Sequence, residues 1–233
     1  RPKKAWWGRY GYMNSAGKFV LEPQYEDALP FSDFLAPVKK DGKWGFINGE
    51  GKFIIEPRYE DAFLFSDQVA AVKEGGLWGF VNRTGKFIVE PKYENAAVFR
   101  QGLAAVKWQG RWGFIAKTGE MVVPPRFEQV YFFQEDRCGA FADGKWGFID
   151  RKGEFVIKPK YDEVLAFSEG LAAVNLGGTR DGKDFQGGTW KFVNPEGKEV
   201  ISEVFVSHTA PASTSTSRVG TEGRQDATAQ IQG

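Results

Sequence analysis

The side chains that most often carry catalysis or bind metals are scarce in this chain of 233 residues. Its single histidine is His208 and its single cysteine is Cys138. One cysteine excludes an intrachain disulfide and a cysteine-based zinc site. The shortage of histidine leaves most hydrolytic and transition-metal chemistry without candidate residues. We therefore expect no cofactor, no metal site and no catalytic residues.

Carboxylates are abundant, with 30 aspartates and glutamates, but most of them recur at a fixed spacing. A glycan hydrolase would need two carboxyl groups about 5–10 Å apart, one of them with a raised pKa. Asp181 and Asp184 are neighbouring acids outside the recurring pattern and are the only candidates for that chemistry. We expect a protein that is not an enzyme, with a carboxylate-based hydrolase as the alternative.

Pairs of polar or acidic residues follow a recurring tyrosine and suggest a second kind of chemistry, calcium binding. They are Glu26-Asp27, Glu60-Asp61, Glu94-Asn95 and Asp162-Glu163. A calcium ion needs several oxygen ligands that converge on one loop, whereas these pairs are spread one per repeat. We interpret them as solvated turn residues.

The strongest pattern in the chain is a repeat of 34 residues. The string Lys43-Trp44-Gly45-Phe46-Ile47-Asn48 returns with the same spacing from Leu77, Arg111 and Lys145. A period of this size indicates supersecondary units that bury their surface against their neighbours. Aromatic residues that recur in phase are therefore predicted to form the core: Tyr10, Trp44, Trp78, Trp112, Trp146 and Trp190.

Turn signals divide each repeat into short strands. Asp41-Gly42 favours a two-residue type I′ hairpin, and Asn48 to Gly51 favours a type I turn that closes in a left-handed glycine. The third strand is predicted at Phe53 to Glu56, with Pro57 marking its end or a bulge. A short fourth strand follows Tyr59. No window has a helical period, so the chain is predicted to be all-β.

Cys138 falls in phase with the alanines of the first strand, Ala36, Ala70 and Ala104. Free cysteine usually behaves as a small buried hydrophobic residue. We predict that Cys138 packs in the core, in preference to serving as a reactive thiol.

These motifs resemble the WG-repeat family, also called KWG repeats, which is common in bacterial proteins. The likeness rests on the K/R-W-G-F-I-N/D box, the G-K/E-F-x-I-x-P-x-Y/F segment and the A-A-V-K strand, seen at Ala70 to Lys73. It covers about residues 1–206. The resemblance implies a β-rich, propeller-like repeat and no agreed activity. We expect tandem 34-residue β-hairpin repeats that form a small ring of five or six blades, with an open twisted array as the alternative.

The repeats are predicted to fill residues 1–207. The expected units are a partial one at 1–9, full ones at 10–43, 44–77, 78–111 and 112–145, one with an insertion at 146–189, and a partial one at 190–206. Residues 208–233 are small and polar, so this segment cannot bury enough surface to offset the entropy of ordering it. It is predicted to be a disordered tail.

Departures from the repeat mark the candidate binding surface. Trp6 and Trp108 share the register position just before the first hairpin turn, where other repeats carry Lys40 or Glu74. Exposed tryptophans are enriched at interaction sites. A second departure is the insertion Leu176 to Gly188, since insertions in repeat arrays map to loops. The candidate contact residues are Trp6, Trp108, Arg180, Asp181, Lys183 and Phe185.

Charge and hydropathy argue against two classes of partner, nucleic acids and membranes. The 31 basic and 30 acidic residues nearly cancel, which argues against a nucleic-acid surface. No stretch approaches the roughly 20 apolar residues of a membrane span. We expect a non-catalytic repeat scaffold that binds a protein, with a glycan partner as the alternative.

Overall fold

The computed structural model describes residues 1–181 and 184–201, which form strands and turns without any helix. The predicted all-β class is therefore confirmed. Lys183 and the predicted polar tail at 208–233 lie outside the described residues.

Strands in this part of the chain number 23. They are β1 (Pro2–Lys4), β2 (Tyr10–Met13), β3 (Phe19–Tyr25), β4 (Asp27–Ala28), β5 (Ala36–Lys40), β6 (Lys43–Ile47), β7 (Phe53–Tyr59), β8 (Asp61–Ala62), β9 (Val69–Glu74), β10 (Leu77–Asn82), β11 (Phe87–Tyr93), β12 (Asn95–Ala96), β13 (Leu103–Trp108), β14 (Arg111–Ala116), β15 (Met121–Phe127), β16 (Gln129–Val130), β17 (Cys138–Ala142), β18 (Lys145–Ile149), β19 (Phe155–Tyr161), β20 (Glu163–Val164), β21 (Ala172–Asp181), β22 (Asp184–Val193) and β23 (Glu199–Ile201).

The chain forms two compact units. The first comprises Arg1–Val106 and Ala116–Glu120, and it contains the sheets β1-β2-β3, β4-β5-β6-β7 and β8-β9-β10-β11. The second comprises Lys107–Ile115 and, among described residues, 121–181 and 184–201, and it contains the sheets β16-β17-β18-β19 and β20-β21-β22-β23. The remaining sheet has the order β12-β13-β14-β15. Each sheet is a meander of strands that follow one another in the chain, as expected for tandem hairpin repeats.

The two-residue strand after each recurring aromatic residue belongs to the following sheet. Asp61 and Ala62 pair with Lys73 and Val72 of β9, on the far side of the next turn. Only Glu60 separates β8 from β7, so the chain passes directly from the last strand of one sheet to the first strand of the next. The fourth strand predicted for a repeat is thus the first strand of the next sheet.

Both predicted turns form. Asp41 and Gly42 have φ values of 51° and 74°, the two positive values that a type I′ hairpin needs. At the next turn the amide of Gly51 donates to the carbonyl of Asn48 at 2.9 Å. The Asn48 side-chain oxygen also accepts from the amides of Glu50 and Lys52. Asparagine at this position therefore holds the turn through its side chain.

The third strand continues through Pro57 to Tyr59, so its predicted end at Glu56 is wrong, whereas the alternative prediction of a bulge at Pro57 is confirmed. Trp44 pairs with Tyr59 and Phe46 pairs with Ile55, which leaves two additional residues on β7 between these pairs. Pro57 lies in this bulge, where its missing donor costs no ladder hydrogen bond. The strand therefore bends at the proline and then resumes its pairing.

The bulge explains the glycine that follows each tryptophan. A Cβ atom on Gly45 would lie 2.6 Å from the Ile55 carbonyl oxygen and 2.7 Å from the Pro57 nitrogen. The same crowding recurs at Gly11, Gly79, Gly113 and Gly147. In the last sheet Lys191 replaces the glycine, and the repeat there aligns Glu203 with Pro57. Glycine and proline therefore occur together because the bulge leaves no room for a side chain.

Aromatic residues in phase with the repeat fill the interior of the sheets. Trp44, Trp78, Trp112 and Trp146 are buried, whereas Tyr10 and Trp190 are partly exposed. Cys138 is buried as well, and burial raises the pKa of its thiol. Its Sγ lies 3.1 Å from the Tyr131 carbonyl oxygen, to which it donates. Cys138 is thus a core residue, as its alignment with alanine predicts.

Candidate functional site

Because the strands of each sheet alternate in direction, successive turns lie at opposite ends of the strands. The hairpin end carries the two-residue turns such as Asp41-Gly42, and the loop end carries the turns such as Asn48 to Gly51. Trp6, Trp108 and the insertion all lie at the hairpin ends of their own sheets. The hairpin ends are therefore candidate binding surfaces, with Trp6 in the first compact unit and Trp108 and the insertion in the second.

Trp6 lies in the turn between β1 and β2 and is 93% exposed. Its neighbour Trp7 is 54% exposed, and the two rings meet edge to face with centroids 5.4 Å apart. The repeat aligns Trp7 with Asp41, so Trp7 lies within the hairpin turn and was not among the predicted contact residues. The hairpin end of the first sheet thus presents two indole rings to solvent.

Trp108 is the last residue of β13 and is 44% exposed. Lys40 and Glu74, the aligned residues of two other repeats, are exposed too. This register position consequently faces solvent in these sheets, and tryptophan at it is an exposed aromatic residue.

The insertion continues the β21–β22 hairpin as paired strands, so the predicted loop is a two-stranded extension. Gly178 pairs with Gly187, Arg180 with Phe185 and Asp181 with Asp184. Gly177 and Gly178 align with Asp41-Gly42, the place where other hairpins turn. Because strand pairing continues past these glycines to Asp181 and Asp184, the hairpin is longer than those of the other sheets.

Buried polar groups tie this extension to its sheet. Glu163 is only 4% exposed, so its interpretation as a solvated turn residue is wrong. Its carboxylate accepts a hydrogen bond from the Tyr131 hydroxyl at 2.8 Å and pairs with the Arg180 guanidinium. The buried Asn175 side chain donates to the Gly187 carbonyl at 3.2 Å. A buried carboxylate is stable only when it is paired in this way.

The predicted contact residues of the insertion have different surroundings. Arg180 turns back to Glu163 and lies over the Phe185 ring at 5.8 Å. Phe185 contacts Trp190 edge to face at 5.9 Å, while Asp181 is exposed at the tip. Arg180 and Phe185 therefore hold the extension, and Asp181 faces solvent.

The acids that follow Tyr25, Tyr59 and Tyr161 each stabilise a neighbouring hairpin. The Gly42 amide donates to Glu26 at 3.1 Å, the Gly76 amide donates to Glu60 at 3.0 Å, and the Gly177 amide donates to Asp162 at 2.7 Å. A hydrogen bond from Lys145 is the main cause that lowers the pKa of Asp162. These acids are structural parts of the hairpin end.

A second kind of turn at the loop end, between the first and second strands of a sheet, was not predicted from the sequence. Ser32 and Leu35 exchange both backbone hydrogen bonds, and Asp33 and Phe34 between them have φ values of 49° and 69°. We call these turns linking turns; the others are Ser66–Val69, Arg100–Leu103, Gln134–Arg137 and Ser168–Leu171. One feature of the sequence could have predicted the linking turns. Glycine follows Gln101 and Glu169, which lie two periods apart, as Gly102 and Gly170.

Carboxylates connect successive linking turns within each compact unit. In the first unit Asp33 accepts from the Gln68 amide at 2.7 Å, and Asp67 accepts from the Gly102 amide at 3.0 Å. In the second unit Glu135 accepts from the amides of Glu169 and Gly170 at 2.7 and 2.9 Å. An acid at the first central position thus satisfies backbone donors of the following repeat.

Among residues 1–181 and 184–201, no three His, Cys, Asp or Glu side chains gather as metal ligands would. Within these residues there is also no helix long and apolar enough to cross a membrane.

Meandering antiparallel sheets, one for each repeat, define an all-β, propeller-like repeat protein. Five consecutive matches to the family described as WG containing repeat cover residues 10–44, 44–78, 78–110, 112–146 and 146–179. The chain belongs to this family. Comparison with curated protein sequences gives no match.

Solved structures support the same fold. The chain is similar to Hsv2 of Kluyveromyces lactis, a β-propeller, with a TM-score of 0.50 and 12% identity over 81% of this chain and 68% of that one. It is also similar to a eukaryotic initiation factor, with a TM-score of 0.55 and 10% identity over 90% of this chain and 63% of that one. At such low identity the likeness concerns the fold alone.

Proposed function

We propose that this WG-repeat domain is a non-catalytic scaffold that binds another protein through the hairpin ends of its sheets. The observation that carries the proposal is the exposure of Trp6, Trp7 and Trp108, while the in-phase tryptophans of β6, β10, β14 and β18 are buried. A large indole exposed to water is costly unless a partner covers it. Tryptophan also loses little conformational entropy when it becomes fixed in an interface.

The surroundings of the candidate acids support a non-catalytic role. Asp181 and Asp184 are paired positions at the tip of a two-stranded extension, and Asp181 is exposed there. A glycan hydrolase places its two carboxyl groups on either side of an enclosed glycosidic bond. The buried acid Glu163 is engaged by Arg180 and Tyr131, which hold the extension in place.

A comparative pull-down tests the proposal. The parent chain and a Trp6→Ser, Trp108→Ser double variant are immobilised, and proteins captured from the source cell after crosslinking are identified by mass spectrometry. The control is a Val20→Ser, Val122→Ser double variant, which changes exposed residues of β3 and β15. We expect one protein to be retained by the parent and the control and lost by the tryptophan variant.

Two results would contradict the proposal. Equal capture by all three proteins, each with the circular dichroism and melting temperature of the parent, would exclude the hairpin ends. Binding of the parent to a glycan array, lost in the same tryptophan variant, would assign the surface to a sugar, because indole rings also stack on sugar faces. Separate single variants then identify which tryptophan carries the contact.

A further inference from the structure

The loop end of the second sheet contains a shallow pocket of about 530 Å³. It is lined by Phe31 and the first three residues of the linking turn, Ser32 to Phe34, and by Asn48 to Glu50 of the next turn. Phe31 packs against the buried Tyr12 at 4.8 Å and gives the pocket an aromatic surface. Asp33 and Glu50 add two carboxylates to the lining.

A repeat in the second compact unit shows what occupies the equivalent place. Arg151 aligns with Gly49, and its guanidinium lies 5.7 Å from the ring of Phe133, which aligns with Phe31. The same guanidinium pairs with the Asp136 carboxylate of the linking turn at 3.4 Å. In that repeat an arginine of the chain itself joins the aromatic ring to an acid.

Gly49 removes this arginine from the second sheet. Three of the five other repeats carry a basic residue at this position, Arg83, Lys117 and Arg151, while Ser15 and Pro195 stand there in the first and last. A Cβ atom on Gly49 would meet nothing within 4 Å, and its φ lies outside the left-handed region. Packing and backbone therefore permit a larger residue, and glycine is not required by the fold.

Phe34 extends the aromatic surface of the pocket into solvent. It is 80% exposed and has a φ of 69°, a left-handed value that is uncommon for a bulky residue. Glycine occupies the aligned position in Gly102 and Gly170. The guanidinium of Arg83 lies 5.4 Å from the Phe34 ring. With Asp33 and Glu50 these groups sum to one net negative charge, which suits a further cation.

We propose that this pocket binds an arginine side chain of a partner protein. The incoming guanidinium lies over Phe31, as Arg151 lies over Phe133. Phe34 aligns with Asp136, the acid that pairs with Arg151, so the carboxylate in this pocket is that of Asp33 or Glu50. Arginine is favoured over lysine because its planar group stacks on a ring while its N–H groups reach a carboxylate. The proposal does not rest on the hairpin ends, since the pocket is at the opposite end of the sheet.

Nuclear magnetic resonance tests the proposal with a defined probe. The ¹⁵N-labelled chain is titrated with acetyl-Gly-Arg-Gly-amide at constant ionic strength, with the Gln and Lys peptides of the same design as matched probes. We expect saturable shifts of the Phe34, Gly49 and Glu50 amides with the arginine peptide, with a millimolar dissociation constant. The lysine peptide should bind more weakly, and the glutamine peptide should cause no saturable shift.

Two variants identify the site without disturbing the fold. Gly49→Arg supplies the guanidinium from the chain itself and should abolish binding of the probe. Phe34→Gly removes the ring at a position where other repeats carry glycine, and it should weaken binding about threefold or more. Both should keep the circular dichroism of the parent. The Trp6→Ser, Trp108→Ser variant should bind the probe as the parent does, which separates this site from the proposed protein-binding surface.

Several results would overturn the proposal. These are a titration without saturable shifts at the pocket, an equal response to the glutamine or lysine peptide, or unchanged binding by a folded Gly49→Arg variant. Should Gly49→Arg fail to fold, Asp33→Asn combined with Glu50→Gln gives the same decision. This variant, which removes both negative charges, should lose most of the binding, and retention of the parent affinity would exclude the carboxylates as the partners of the guanidinium.

Discussion

At the scale of single residues, the glycine after each tryptophan is constrained by backbone atoms of the neighbouring strand. A Cβ atom on Gly79 would lie 2.6 Å from the Val89 oxygen and 2.8 Å from the Pro91 nitrogen. Backbone atoms cannot move aside as the end of a side chain can. We expect Gly79→Ala to lower the free energy of unfolding by about 1–3 kcal/mol, measured by urea denaturation.

Gly49→Ala is the matched control for this substitution. A Cβ atom there meets nothing within 4 Å, so the variant should unfold at the same urea concentration as the parent or slightly above it. Equal stability of Gly79→Ala and Gly49→Ala would show that the bulge yields readily.

Tryptophans in phase with the repeat should stabilise the folded chain because they are buried. Trp78 and Trp112 are buried in the second strand of their repeats, so replacing either by alanine should cost about 3–5 kcal/mol of unfolding free energy. Trp108→Ala provides a control, because this side chain is substantially exposed and should cost less than about 1 kcal/mol. A melting temperature of Trp78→Ala or Trp112→Ala close to that of the parent would contradict the core assignment.

At the scale of elements, the β21–β22 extension depends on one ion pair. The side chain of Glu163 is buried, and that of Arg180 is about one-third exposed. Arg180→Met leaves a buried carboxylate with the Tyr131 hydroxyl still donating to it. We expect a loss of about 1–3 kcal/mol, less than for a fully buried pair because water reaches the guanidinium. Hydrogen exchange of the β21 and β22 amides should also accelerate.

A double-mutant cycle separates the ion pair from other effects of the substitution. Glu163→Gln removes the charge that Arg180→Met leaves unpaired, so the double variant should be more stable than Arg180→Met alone. Strict additivity of the two changes would show that Arg180 does not stabilise the extension through Glu163.

The hairpin end of the same sheet should respond to acid. The Lys145 hydrogen bond lowers the pKa of Asp162 in the folded chain below the ordinary value of 3.8. A lowered folded pKa stabilises the fold above the unfolded pKa, and this contribution disappears as pH falls through the folded pKa. Lys145→Met should therefore cost about 0.5–1 kcal/mol near neutral pH, and the difference from the parent should shrink as pH falls below 3.8 and vanish once pH is below the lowered pKa of Asp162.

Denaturation at a series of pH values measures this effect. In an Asp162→Asn background, Lys145→Met should show no dependence on pH in the acid range. A difference between parent and Lys145→Met that stays constant down to the acid limit would assign the effect to packing of the lysine side chain.

The elements also show how far sequence reasoning reaches. Asp41-Gly42 and Asn48 to Gly51 were predicted because glycine and asparagine specify backbone conformation locally. The linking turn at Asp33-Phe34 was missed because an aromatic residue at a left-handed φ contradicts local preference. Glu163 was misplaced because its burial depends on Tyr131 and Arg180, which are distant in sequence and break the repeat.

At the scale of the whole molecule, the sequence predicts that the repeats fold independently of residues 208–233. That segment contains only Val219 and Ile231 as large aliphatic residues and no aromatic residue, so it can contribute little apolar burial. A chain that ends at Ser207 should keep the circular dichroism and melting temperature of the full chain. A substantially lower melting temperature would show that the segment packs on the repeats.

The fold class can be predicted from the sequence because the turn and strand motifs recur from repeat to repeat. A single Asp-Gly or Trp-Gly dipeptide is weak, but its return at a constant spacing identifies a unit that folds in the same way each time. The candidate site is harder to read, because it consists of departures from the period. Trp6 and Trp108 stand out as aromatic residues, whereas Gly49 is informative only once Arg151 is seen over Phe133.

The carboxylate links between successive turns also bear on how such a chain evolves. Asp33 and Asp67 use the same contact, and the Ser66–Val69 turn has both parts of it, since its Gln68 amide donates to Asp33 and its Asp67 accepts from the Gly102 amide. A duplication or deletion of one whole period during recombination therefore restores a matching junction at both breakpoints. Between repeats that carry the acid, copy number can change in single steps without a compensating substitution, while a shift of a few residues would break the junction.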